Sequence, residues 1–125
     1  MNIEIKMISS RLISLNFDYD KIKDKEENIS LSINATIQAP ENKKNVRRIV
    51  FNTKFNIQST NEECLSFKYE IVYDCQPKDV SISDDKINSY IMKNGYPKVK
   101  DFLSKFYQDS HINFIDLPDI EEFNN

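Results

Sequence analysis

Ile29-Ser30-Leu31-Ser32-Ile33-Asn34-Ala35-Thr36-Ile37-Gln38 places an apolar residue at every odd position and a polar one at every even position. Successive side chains of a strand point to opposite faces, so this alternation describes a strand with one buried and one wet face. Pro40 ends it, because proline cannot donate to a ladder. The same period runs outward in both directions. Upstream, Ile3, Ile5, Met7, Ile13, Leu15, Phe17 and Tyr19 form an odd-numbered apolar series in a long first strand, with room for a bulge where Ile8 and Leu12 break the parity. Downstream, Ile49, Phe51, Thr53, Phe55 and Ile57 oppose Arg48, Asn52, Lys54, Asn56 and Gln58. A fourth series, Leu65, Phe67, Tyr69, Ile71 and Tyr73, opposes Ser66, Lys68, Glu70 and Asp74. Short connections join neighbouring antiparallel strands. The expectation is a four-stranded antiparallel meander with strands over 2–19, 29–39, 47–58 and 64–75.

After Pro77 the period becomes helical. Ser83 is a good N-cap, and Asp84 and Asp85 suit the positive end of the helix dipole. Ile87, Tyr90 and Ile91 predict a short helix over 84–93, which Gly95 ends in a left-handed conformation. Pro97 opens a longer helix over 97–109, whose stripe is Val99, Phe102, Leu103, Phe106 and Tyr107. His111 to Ile120 reads as an extended tail. The fold class is α+β, with helices on one face of an antiparallel sheet, and residues 1–125 form a single domain.

Composition excludes more than it proposes. The 125 residues include one glycine, which rules out glycine-rich phosphate loops and dinucleotide fingerprints. The net charge of −3 argues against nucleic acid as a partner. Lys43, Lys44, Arg47 and Arg48 make a small basic cluster that reads as a solvated hairpin tip, where charge discourages edge pairing. No apolar run is long enough for a membrane helix, and Met1 to Lys6 alternates rather than forming a signal peptide. The cytoplasm is the expected compartment. Cys64 and Cys75 fall at the two ends of one strand, ~36 Å apart if it is straight, so they are read as free thiols. With one histidine they make no zinc set, and no metal or cofactor is expected. His111 follows a helical stripe and reads as a surface or capping residue. No nucleophile motif accompanies it, so the chain is not read as an enzyme.

Eight Phe and six Tyr are the conspicuous feature, and many fall on the apolar strand face. One short and one four-turn helix cannot cover such a sheet, so part of the face is expected to meet a second subunit or a ligand.

In order and spacing, the chain resembles the bacterial export chaperone SecB and its relatives. The acidic link looks like Ser83-Asp84-Asp85-Lys86-Ile87-Asn88-Ser89-Tyr90 and the helix start like Gly95-Tyr96-Pro97-Lys98-Val99-Lys100. Phe102, Leu103 and Phe106 continue the stripe, and Ile112-Asn113-Phe114-Ile115-Asp116-Leu117-Pro118-Asp119-Ile120 looks like the family's extended segment. The family's second helix and tail have no counterpart before Asn125, and its strong acidity is reduced. The resemblance therefore implies an ATP-independent holdase, or a dedicated chaperone of another protein, rather than an export partner of the translocation ATPase. It implies a homodimer or homotetramer that holds unfolded or export-destined polypeptide in apolar grooves. The groove residues it implies are Phe17, Tyr19, Phe51, Phe55, Phe114, Ile115 and Leu117; the subunit contacts are Ile8, Leu12, Val99, Phe102 and Phe106. The alternative is a specific interaction module, such as an antitoxin-associated or mobile-element accessory protein that recognises one partner.

Overall fold

The computed structural model describes residues 3–21, 28–39, 46–77, 84–112 and 117. Four antiparallel strands, β1 (Ile3–Phe17), β2 (Ile29–Gln38), β3 (Val46–Ile57) and β4 (Glu62–Pro77), precede one long helix, α1 (Asp84–Ser110). The α+β class and the four strands match the alternation in the sequence. The sheet order is β1-β4-β3-β2, so β2, β3 and β4 form the meander and β1 pairs with β4. The chain between β1 and β2 therefore joins opposite edges of the sheet, where a simple meander would place these strands side by side.

Register explains the broken parity of β1. Met7 lies opposite Tyr73 and Ser9 opposite Val72, then Leu12 opposite Tyr69 and Ser14 opposite Lys68. Ile8 and Ile13 are the two inserted residues. Each bulge resets the alternation, because one extra residue flips every later side chain. Ile5, Met7, Leu12, Leu15 and Phe17 consequently share the face of Tyr73, Tyr69 and Phe67. Leu12 thus lies on the apolar face, not on the polar face that its even number implies.

The core sits between that face and α1. Ile49, Phe51, Thr53, Phe55 and Ile57 of β3 and Leu65, Phe67, Ile71 and Tyr73 of β4 are buried beneath Ile87, Ile91, Tyr96, Val99, Leu103 and Tyr107 of α1. The helix is continuous from 84 to 110, where the sequence predicts two helices separated at Gly95. Gly95 has no positive φ. Its role is close approach: a Cβ there would meet the Tyr73 hydroxyl at 2.9 Å and Ile71 Cδ1 at 3.0 Å. Pro97 lies within the helix and on its exposed side. The carbonyl of Lys93, which loses its intrahelical donor to the proline ring, lies one turn back on the same exposed side and can be hydrated. Packing on the sheet thus overrides two local break signals. The helix ends at His111, which has φ 55°; the Ile112 amide donates to the Tyr107 carbonyl at 3.2 Å and the His111 amide to the Gln108 carbonyl at 3.4 Å. That pattern is a left-handed C-terminal cap, here without glycine.

Candidate functional site

The helix lies over β3 and β4 and leaves the β1 side of the apolar face part-covered. Ile8, Leu12, Ile13, Leu15 and Tyr19 are large apolar side chains that stay exposed, all on β1 or just beyond it. Leu12, Leu15 and Phe17 point to the helix side by register. There Phe17 meets Phe106 edge-on, with ring centroids 5.2 Å apart, and Tyr19 at 6.3 Å. Phe106 stacks on Phe102 at 6.3 Å, and Phe102 touches Phe67 at 5.0 Å and Tyr69 at 5.6 Å. The result is a row of rings, Tyr19-Phe17-Phe106-Phe102-Tyr69, running between the edge strand and the helix. Tyr19 is half exposed, and Phe17, Phe102, Phe106 and Tyr69 are part-buried. Offset and edge-to-face pairs of this kind add about 0.5–1.5 kcal/mol each to their area burial, so the row is a firm surface.

The position of Tyr19 is fixed locally. The Asp18 amide donates to the Cys64 carbonyl at 3.0 Å, and residues Tyr19–Lys21 form a single 3-10 turn. Lys21 Nζ donates to the Glu63 carbonyl at 3.1 Å and lies 3.6 Å from the Glu62 carboxylate. The chain leaving β1 is thereby anchored to β4, with the ring of Tyr19 turned to solvent.

The sequence divides these residues into a groove set and a subunit set; the structure joins four of them, Phe17, Tyr19, Phe102 and Phe106, in one continuous row. Leu12 flanks it, and Ile8, 57% exposed, stands on the first bulge. Phe51, Phe55 and Val99 are placed elsewhere: each is 0% exposed beneath or within α1, so they hold the core and offer no surface. Leu117 is buried and lines a cleft of about 150 Å³ with Lys100, Leu103 and Ser104. Phe114 and Ile115 lie outside the described residues. Tyr69, Leu15 and β2 are surface features that the sequence reading did not single out. Only strand order reveals that β1 and β2 are the edges.

The second edge has a different character. The ten residues of β2 carry no charge, no proline and no bulge, and among the described residues they pair with β3 alone. Its apolar row, Ile29, Leu31, Ile33, Ala35 and Ile37, stays half-buried beside the fully buried row of β3. Natural edges are ordinarily blunted by charge, proline or bulges, as β1 is with Glu4, Lys6, Arg11 and two bulges. Among the described residues, no strand pairs with the outer edge of β2.

The two thiols play no part in this surface. Both cysteines are free and buried, and burial pushes both thiols up from their ordinary range. Cys64 donates to the Phe55 carbonyl at 3.3 Å. Among the described residues no cluster of three or more His, Cys, Asp or Glu forms, and no helix is long and apolar enough to cross a membrane.

No family model matches the sequence, and no curated protein matches it. Among solved structures, the chain is similar to the Mycobacterium tuberculosis Rv1957 SecB-like chaperone, solved in complex with a ChAD peptide from the Rv1956 HigA1 antitoxin. The likeness covers 91% of this chain and 86% of that one, with a TM-score of 0.62 and 10% sequence identity. Four antiparallel strands under one long helix, in this order and over this length, give the chain the SecB-like fold.

Proposed function

We propose that this protein is a SecB-like, ATP-independent holdase of the cytoplasm that binds unfolded polypeptide. The observation that carries this reading is the half-open ring row Tyr19-Phe17-Phe106-Phe102-Tyr69 beside an exposed apolar strand. A holdase binds the unfolded state, which offers apolar side chains and unpaired backbone. The ring row takes the side chains, and the open edge of β2 takes the backbone as an added strand. Phe17 and Tyr19, at the open end of the row, are assigned to the client. Ile8 and Leu12, on the edge strand, are assigned to subunit contact in a homodimer or homotetramer, with Phe102 and Phe106 forming the wall between the two roles. No nucleotide or catalytic group is needed for passive holding.

The test is light scattering from a thermally unfolding client with and without this protein. Suppression at equimolar dose is the expected result, and its absence counts against the holdase. A second reading has its own support: the similar Rv1957 structure holds one defined peptide. In that reading the chain is a dedicated module for one partner. Affinity capture from the native host separates the two, with many unfolded clients expected for the holdase and a single partner for the module.

A further inference from the structure

The face of the sheet opposite α1 is uncovered by any described element, and its charges are arranged in a pattern. Arg11 stands opposite Glu70, Lys68 lies two residues back along β4, and Lys54 stands opposite Ser66, two residues further. These three cations form one diagonal across β1, β4 and β3, with diagonal neighbours ~7–8 Å apart. All three are exposed. Lys54 and Lys68 have no ion-pair partner among the described residues. Glu70 is the acid nearest the diagonal and is already held: Arg11 Nε donates to one oxygen at 2.9 Å and Arg48 Nε to the other. Of the other acids of this face, Asp74 stands opposite Lys6 at one end, and Glu63, near the Lys54 end of the diagonal, has its carboxylate engaged by the Ser66 hydroxyl, which donates to it at 3.0 Å.

We infer that this diagonal docks an acidic, extended segment of a partner polypeptide. In an extended chain every second side chain repeats at ~7 Å, so carboxylates at alternate positions match the spacing of Arg11, Lys68 and Lys54. The face lacks what a nucleic acid would use. Every aromatic residue of the four strands registers on the helix side, so among the described residues of these strands no ring is offered on which a base could stack. The site lies on the other side of the sheet from the ring row, so it adds a second contact rather than extending the first.

Fluorescence anisotropy with a labelled peptide alternating glutamate and serine tests this. Comparison probes are the glutamine–serine peptide and a short oligothymidine. The acidic peptide is expected to bind, to weaken as salt rises, and to bind about tenfold more weakly to a Lys54→Gln/Lys68→Gln variant. The exposed helix pair, Lys98→Gln/Lys105→Gln, is expected to bind as the parent does. Unchanged thermal midpoints and unchanged suppression of client aggregation in both variants keep this result separate from the holdase reading. Equal binding of the glutamine–serine peptide, an equal loss in both lysine pairs, or tighter binding of the oligothymidine would overturn the assignment.

Discussion

Gly95, Thr53 and Glu70 each do something that their residue type does not announce. Glycine after a short helical stripe reads as a helix stop, yet Gly95 is helical and pressed against Tyr73 and Ile71. Gly95→Ala gains about 1 kcal/mol in helix propensity but overpacks a site that also holds the Tyr73–Asn94 hydrogen bond of 2.9 Å. The overpacking outweighs the gain, so a net loss of about 1–2 kcal/mol is expected in urea unfolding. Thr53 is 0% exposed in the middle of the apolar row of β3, and its hydroxyl has no hydrogen-bond partner among the described residues. Thr53→Val removes an orphaned polar atom at nearly constant shape and is expected to stabilise by about 1 kcal/mol in the same measurement.

Glu70 lies on the wet face of β4 by alternation, yet it is 4% exposed. The Arg48 hydrogen bond holds its carboxyl below the ordinary range; Arg11 adds to this, and burial opposes it. Because the folded pKa lies below the unfolded one, the stabilisation is fully present above the unfolded value and is lost as pH falls through the folded one. Glu70→Gln is therefore expected to cost about 1–3 kcal/mol at neutral pH and to flatten the loss of stability below about pH 4.5. Denaturant midpoints measured across pH for parent and variant check both. The arginine partners lie on other strands, so spacing within β4 could not reveal them.

Among the elements, the strands were the most legible and the helix breaks the least. Period-two alternation located β2, β3 and β4 within a few residues because each buries one face only. Parity failed in β1 because Ile8 and Ile13 are bulged, and nothing local in Met7-Ile8-Ser9 distinguishes a bulge from a register change. The pairing of β1 with β4 is a long-range fact that no short window contains. Gly95 and Pro97 are sound local signals for a break, but packing against the sheet keeps α1 whole. The uncharged edge of β2 carries its own prediction. Ser32→Lys with Asn34→Lys places charge on the wet side of that edge, the device by which natural edges discourage strand addition. Client suppression is expected to weaken several-fold while the thermal midpoint stays within about 2–4 °C of the parent.

For the whole molecule, the SecB-like fold was readable from the order and spacing of elements, although only 10% of residues match those of the similar Rv1957 structure. The surface was half readable. Phe17 and Tyr19 stand at the end of an edge strand, where exposure follows from position. Phe51 and Phe55 share their alternation but lie on β3, where the helix covers them. Sequence pattern assigns a face; only strand order and helix placement decide which part of that face stays open.

If the ring row holds unfolded chain, affinity for a permanently unfolded client depends on it. A reduced, carboxamidomethylated protein serves as that client, titrated with the parent and with Phe17→Ser/Tyr19→Ser. Saturable binding by the parent is expected, at least about tenfold weaker in the double variant, while the variant stays folded. Equal affinity in parent and variant, or no binding by the parent, would contradict it.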